Sequence, residues 1–362
     1  MSENRRLFKG SIGQKWNFES KNVLAVVWVG ILGLVLLFYG ENYIFNGELF
    51  VVDNKGRYRN IYFSPDQKLI TFDYCNKEGC NNVIHEVESG LFFRYAHDEG
   101  VNITNLSFSP SGEQIVFVAR KNGWFGYGEE MCLVTGAHGS SQFRVVGECE
   151  AIKAYPKFSS ENHILFWRGK DRANKKSQIV LAEINKENGQ EKSIDIENID
   201  YLYRPSALSF FENKDEAVFS DYGISEKNDG NEKKEYFDTV WILSREEKRA
   251  FPVETGINYS SKPVVIKSDG RILFIGRNLA GEKNGVFAYE IYSHKEGSTK
   301  QLTNFGSYIS GFDTTRDGNK LVLAIEDLSD GKSSLVVLNL KSKEVQRIVP
   351  NDISKLLITI HQ

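Results

Sequence analysis

The sequence predicts an all-β protein, a six-bladed β-propeller of four-stranded blades preceded by one N-terminal transmembrane helix. Two observations carry this expectation: a hairpin pattern that recurs six times after residue 60, and an uncharged apolar run before it. Composition agrees and removes other classes. The 362 residues are 41% hydrophobic, with 31 Gly and 7 Pro, which excludes a disordered or collagen-like chain. Lys and Arg number 45 against 48 Asp and Glu, so no basic field argues for nucleic acid.

Residues 22–40 read NVLAVVWVGILGLVLLFYG and carry no charge between Lys21 and Glu41. A helix of that length rises about 28 Å, enough to cross a bilayer core. Arg5, Arg6, Lys9, Lys15 and Lys21 precede the run against Glu3 and Glu19; Glu41 and Glu48 follow it before the next basic residue, Lys55. That asymmetry predicts a cytoplasmic N-terminus and an exported body on the outer side of the cytoplasmic (inner) membrane, in the periplasm or its equivalent. The run exceeds the apolar core of a signal peptide, and Leu37-Phe38-Tyr39-Gly40 is a poor cleavage context, so an uncleaved signal anchor is expected. The expected organisation is a cytoplasmic tail at 1–21, the anchor at 22–40, a linker and possible closing strand at 41–59, and the propeller at 60–362.

Six segments share one pattern: IYFSPDQKLITF at 61–72, LSFSPSGEQIVF at 106–117, PKFSSENHILF at 156–166, LSFFENKDEAVF at 208–219, VVIKSDGRILF at 264–274 and FDTTRDGNKLVL at 312–323. Each reads as a short apolar strand, a polar turn, and a second apolar strand. Pro65 and Pro110 preset φ for the turn, and Gly112, Gly270 and Gly318 accept conformations other residues resist. Two further β-rich runs follow each hairpin, such as MCLVT at 131–135 and QFRVVGE at 142–148. Four strands per repeat of 45–56 residues cannot bury their own faces; stacking the repeats around an axis does. The 24 Phe and 16 Tyr are accounted for as packing between blades. Residues 48–53 and 353–360 look like strands outside the sixfold count, and either is a candidate to complete a blade shared between the termini.

The Phe-Ser-Pro-Asp/Ser-x-Gly/Gln turn at Phe63 and Phe108, followed by an apolar strand, resembles the WD-repeat-like propeller repeat of the TolB family. It is also similar to the propeller domains of prolyl oligopeptidase-type enzymes. The resemblance covers about residues 48–350. It weakens in the fourth repeat, which has Phe211-Glu212 for Ser-Pro, and in the sixth, where Thr314 replaces the anchor Phe. The resemblance implies the fold. The chain departs from both groups: a membrane span stands where TolB has a small α/β domain, and the α/β-hydrolase domain of the peptidases is not expected.

All four cysteines, Cys75, Cys80, Cys132 and Cys149, fall in the predicted exported part, so two disulfides are expected. Three connectivities exist. Strand geometry favours Cys75–Cys80, in one connection between the second and third strands, and Cys132–Cys149, at facing ends of the third and fourth strands of one blade.

Catalytic motifs are missing. No G-x-S-x-G elbow is present, and Gly331-Lys332-Ser333 has Glu326 where a phosphate loop needs its first glycine. The six His do not recur at inner-strand positions, so no catalytic, cofactor or metal residue is expected. The connections between the second and third strands are expected to be long: 75–80, 120–130, 168–177, 221–237, 277–285 and 326–333. Elaborated loops on a rigid ring usually carry recognition. Trp124, Phe125 and Tyr127, interleaved with Gly123, Gly126 and Gly128, are the candidate partner-binding residues. The expected function is therefore a non-enzymatic, membrane-anchored scaffold that binds other envelope or membrane proteins. The alternative is an enzyme, or a carbohydrate- or small-ligand-binding protein, that uses the central channel.

Overall fold

The structure is a computed structural model that describes residues 47–49 and 56–348, apart from 78, 96–100, 122–130, 141, 151, 171–177, 213–214, 227–234, 284–285 and 330. The segment 22–40 and the terminal strand candidate 353–360 lie outside the described residues. Among the described residues every regular element is a strand, and no helix is long and apolar enough to cross a membrane.

The chain folds as a β-propeller. The first blade runs through Arg57–Phe63, Leu69–Asn76, Gly79–Glu86 and Phe92–Tyr95, and the second through Val101–Phe108, Gln114–Lys121, Met131–Ala137 and Phe143–Glu150. The third holds Lys153–Phe158, His163–Lys170, Gln178–Asn185 and Glu191–Ile194; the fourth Ser209–Phe210, Glu216–Asp221, Thr239–Ser244 and Arg249–Pro252. Strands a to d of each blade pair antiparallel in sequence order, a innermost.

Two features correct the expected count of six separate four-stranded blades. Four repeats stand as discrete sheets. The fifth (Ser261–Val265, Ile272–Lys283, Val286–Lys295, Ser298–Gln301) and the sixth (Tyr308–Thr314, Lys320–Glu326, Ser333–Asn339, Val345–Ile348) share one eight-stranded sheet. Strand c of the fifth is long enough to pass strand a of the sixth, and one parallel pairing, Tyr289 with Tyr308, joins them. The fourth repeat adds a three-stranded sheet of Ile199–Leu202, Ile224–Glu226 and Glu235–Tyr236. Gly47–Leu49 pairs with Phe93–Tyr95 as a fifth strand on the outer edge of the first blade, so it does not complete the last repeat.

Apolar layers fill every joint between successive repeats. Leu165 and Trp167 of the third blade meet Phe219 and Trp241 of the fourth in one such layer. The first and last repeats meet in the same way, through Tyr58, Ile61 and Phe72 against Val322, Ala324 and Leu335. The Phe63 N–H donates to Asp313 Oδ2 at 2.8 Å across that seam. Side-chain packing, not a strand exchanged between the ends, closes the ring among the described residues.

The repeated turn behaves as its residues dictate. In the second blade Ser109 N–H donates to the Gln114 carbonyl at 2.8 Å and Gly112 N–H to the Ser109 carbonyl at 2.9 Å; in the first, Ser64 N–H to Leu69 and Gln67 N–H to Ser64 repeat both bonds at 2.9 Å. The third turn residue is left-handed in each, φ 81° at Gly112 and 62° at Gln67. A Cβ is disfavoured there, so Gln67→Gly is expected to raise stability by about 0.5–1 kcal/mol. Chemical denaturation of the two chains checks the sign.

Strand a carries a second device. Its pairing with strand b skips near Asn60, Asn105, Tyr155 and Lys262, which take φ of 48°, 56°, 52° and 48°. Such a bulge releases a backbone N–H from the ladder. The preceding repeat captures it: Asp73 accepts from Asn105, and Ser220 Oγ accepts from Lys262 N–H at 2.9 Å. Asp73 and Ser220 each follow the phenylalanine that ends the repeated motif, Phe72 and Phe219.

Candidate functional site

The two disulfides form as strand geometry predicts. Cys75 and Cys80 face each other across the first b–c hairpin, Cα atoms 4.0 Å apart, and Cys132 and Cys149 join strands c and d of the second blade at 4.4 Å. The first pair lies within paired strands instead of an open loop, because strands b and c extend to Asn76 and Gly79. The expected long connection at 75–80 is thus a tight hairpin. That at 277–285 is also largely strand, reaching Lys283. Trp124, Phe125 and Tyr127 lie outside the described residues.

The same end of the ring, where strand b ends and strand c begins, nonetheless gathers aromatic surface. Large exposed apolar side chains include Tyr203, Tyr222, Phe237, Tyr259 and Tyr308, all at b–c connections or at the entry to strand a. Phe237 is 60% and Tyr222 55% exposed. The others in this class, Val87, Phe251 and Val345, are isolated on c–d turns or an edge strand. Tyr203 packs on Tyr222, ring centroids 5.6 Å apart, and Gly223 lies against Phe237 and Tyr203. Asp221 pins this corner by accepting from Tyr203 and Arg204 N–H at 2.9 and 2.7 Å. Burial pushes its carboxyl up to about 6, against the pull of those backbone donors. Beside the corner, a cavity of about 140 Å³ is lined by Asp238, Tyr259, Lys262, Tyr289, Tyr308 and Ser310.

The ring axis holds a ladder of charged and phenolic groups. At the a–b end, Lys157 of the third blade reaches Tyr62 of the first, its Nζ 3.2 Å from the ring centroid. Asp313 of the sixth repeat attracts that ammonium, while Lys267 repels it. Desolvation dominates and pushes the Lys157 amine down to about 8. Burial, aided by Tyr155, Asp73 and Asp313, raises the Tyr62 phenol. Toward the other end, Arg59 influences the titration of Tyr155, Lys262 and Tyr308, groups of the third, fifth and sixth repeats. Lys262 donates to the Ser310 carbonyl. Burial, with Arg59 nearby, pushes its amine down to about 8. Lys262 is exposed and lines the cavity described above.

Sequence reasoning named Trp124, Phe125 and Tyr127, which lie outside the described residues, and did not single out Tyr203, Tyr222 or Phe237. It missed the axial ladder, whose members share no residue type from repeat to repeat. Among the described residues no three His, Cys, Asp or Glu side chains converge as a metal site would require.

No family model and no curated protein matches the chain. Solved structures do. The crystal structure of TolB from Acinetobacter baumannii superposes with a TM-score of 0.53 at 10% identity, over 93% of this chain and 71% of that one. An oligogalacturonate lyase in complex with manganese gives 0.51 at 15% identity over 84% of each chain. The propeller domain of the Trilobed protease from Pyrococcus furiosus gives 0.52 at 13% identity, over 84% of this chain and 98% of that one. At these identities the likeness is one of fold, shared by binding proteins and enzymes alike.

Proposed function

We propose that this chain is a non-enzymatic, membrane-anchored interaction module whose repeats form six blade equivalents around one channel. The b–c end of the ring is its working surface, and its partners are other proteins of the cell envelope. The observation that carries this reading is the concentration of exposed aromatics at that end. Aromatic anchors on a rigid frame bury large area at low entropic cost, and truncating a central one typically weakens binding by about 2 kcal/mol, or roughly thirtyfold. The sequence assigns Trp124, Phe125 and Tyr127 to a b–c connection, and so to the same end. Residues after 40 carry 40 basic and 46 acidic side chains, net −6, which favours a basic partner surface and salt-sensitive association.

A photo-crosslinking residue at Tyr222 or Phe237 of the full chain, expressed in cells, is expected to trap a discrete envelope protein. The same probe at Val345, on the opposite end, is expected to trap none. Equal adducts from both ends would remove the assignment. The anchor has its own test: a reporter fused after Gln362 is expected to be active only outside the cytoplasm, because residues 22–40 and their basic flank keep the N-terminus in.

A further inference from the structure

Three cations stand toward the b–c end of the ring: Arg59 on the innermost strand of the first blade, Arg204 at the entry to the fourth, and Lys262 at the bulge of the fifth repeat. All three are exposed. Among the described residues none forms an ion pair, although pairs such as Lys192–Glu183 are present on the blades. Acids stand near them, Asp238 on the wall of the Lys262 cavity and Asp221 against the Arg204 backbone, but neither forms an ion pair with them. Asp73 faces Arg59 across the strand pair, but its oxygens are occupied by Asn60, Asn82 and Asn105. Glu326 attracts Lys262 from strand b of the sixth repeat without reaching salt-bridge distance. Tyr155 is near enough to both Arg59 and Arg204 for each to favour its ionised form, against the burial that raises it. Below, the Lys157–Tyr62 contact crosses the axis and narrows the passage. The result is a basic well open at the b–c end.

We propose that this well binds a small multivalent oxyanion, a di- or tricarboxylate or a phosphate ester, between Arg59, Arg204 and Lys262. Like charges held in a confined channel repel one another, and a bound anion converts that repulsion into attraction. Two guanidinium groups offer planar, paired N–H donors that match carboxylate and phosphate oxygens. The Lys262 ammonium, fixed through its bond to Ser310, supplies a third point of charge. The phenol of Tyr155 adds a neutral donor on the wall. The contact across the axis limits the ligand to one that enters and leaves by the same mouth, which argues for a small molecule. This ligand site adjoins the aromatic surface: Lys262 shares a cavity with Tyr259 and Tyr308, and the Arg204 guanidinium lies 5.3 Å from the Tyr203 ring centroid. Its small anion is tested without any protein partner.

Calorimetric titration of the purified full-length chain with citrate and with inorganic phosphate, at low ionic strength, tests the proposal. Saturable binding of at least one anion is expected. Arg59→Gln and Lys262→Met are each expected to weaken it by about tenfold or more, the loss of one charge-assisted contact. Lys262→Arg keeps the charge and is expected to keep binding, while Lys343→Gln, on a distant c–d turn, is expected to change nothing. Binding of citrate alone assigns a carboxylate site, and binding of phosphate alone a phosphate site. Heat-unfolding midpoints identify any variant that fails to fold, and the Lys262→Arg and Lys262→Met pair then decides. No binding of either anion, or binding that survives both charge-removing substitutions, overturns the proposal.

Discussion

Asp73→Ala is expected to destabilise the chain by about 3 kcal/mol at neutral pH. The carboxylate stands at the joint of the first and second blades and is 2% exposed. Asn60 Nδ2 donates to it at 2.7 Å and Asn82 Nδ2 at 3.2 Å, and the Asn105 N–H is shared between its oxygens at 3.1 and 3.0 Å. Alanine leaves three donors without their acceptor, each costing about 1–3 kcal/mol when water does not replace it. One of them is the N–H that the bulge released, so the loss also loosens the joint. Asp73→Asn keeps an acceptor for Asn105 but turns an amide toward two others, and its cost is expected to fall between.

The pH dependence gives the same variant a second readout. Burial raises the Asp73 carboxyl from 3.8 to about 6, while its donors pull it back. The folded value lies above the unfolded one. The folded chain therefore holds a proton between these limits that the unfolded chain has released, and stability from this group falls as pH rises through them. Asp221 titrates in the same direction but is present in both chains. The deficit of Asp73→Ala should thus widen on acidification from neutral pH toward 3.8. Urea unfolding across that range measures it. A deficit that shrinks on acidification would falsify the assigned cause.

What the sequence made legible was what repeats. Phe63, Phe108 and Phe158 sit at one place in six aligned hairpins, and turn chemistry at Pro65, Pro110 and Gly112 fixed the a–b register. The β-rich runs after each hairpin then placed strands c and d, and with them the facing positions of Cys132 and Cys149. What did not repeat stayed hidden. Arg59, Tyr155 and Lys262 meet at the axis from different repeats, and a bulge displaces each position from simple alternation, so neither spacing nor residue type links them. Asp73 did carry a signal: an acid directly after the run LITF, inside a strand whose other residues are mostly apolar. The joining of the fifth and sixth repeats depends on strand length past the ring, which the apolar pattern of 286–293 did not set apart from a loop at 277–285. Tyr222 and Phe237 stand at the two ends of the 221–237 connection, whose middle is charged from Glu226 to Glu235, and no spacing sets them apart.

Replacing both Cys132 and Cys149 by Ser is expected to cost about 3 kcal/mol, and replacing Cys75 and Cys80 about 2 kcal/mol or less. The difference is one of loop length. The bonds join residues 17 and 5 apart, so the first removes more freedom from the unfolded chain. Position adds to it. Cys75 and Cys80 are direct partners in a ladder that continues for several residues beyond them, and the hairpin holds its register without the bond. Cys132 and Cys149 straddle a register shift, where Gly147 takes φ 71° and the c–d pairing skips from Met131–Glu150 to Leu133–Val146. There the bond supplies the tie that the ladder omits. Cys132 also packs against the layer between the first and second blades, so loosening strand d reaches the same joint that Asp73 holds. Peptide mapping without reduction is expected to give Cys75–Cys80 and Cys132–Cys149, and denaturant titration of the two double variants is expected to rank them as stated. Four free thiols in the purified protein, a Cys80–Cys132 crosslink, or an inverted ranking would each reject this account of how the second blade is held.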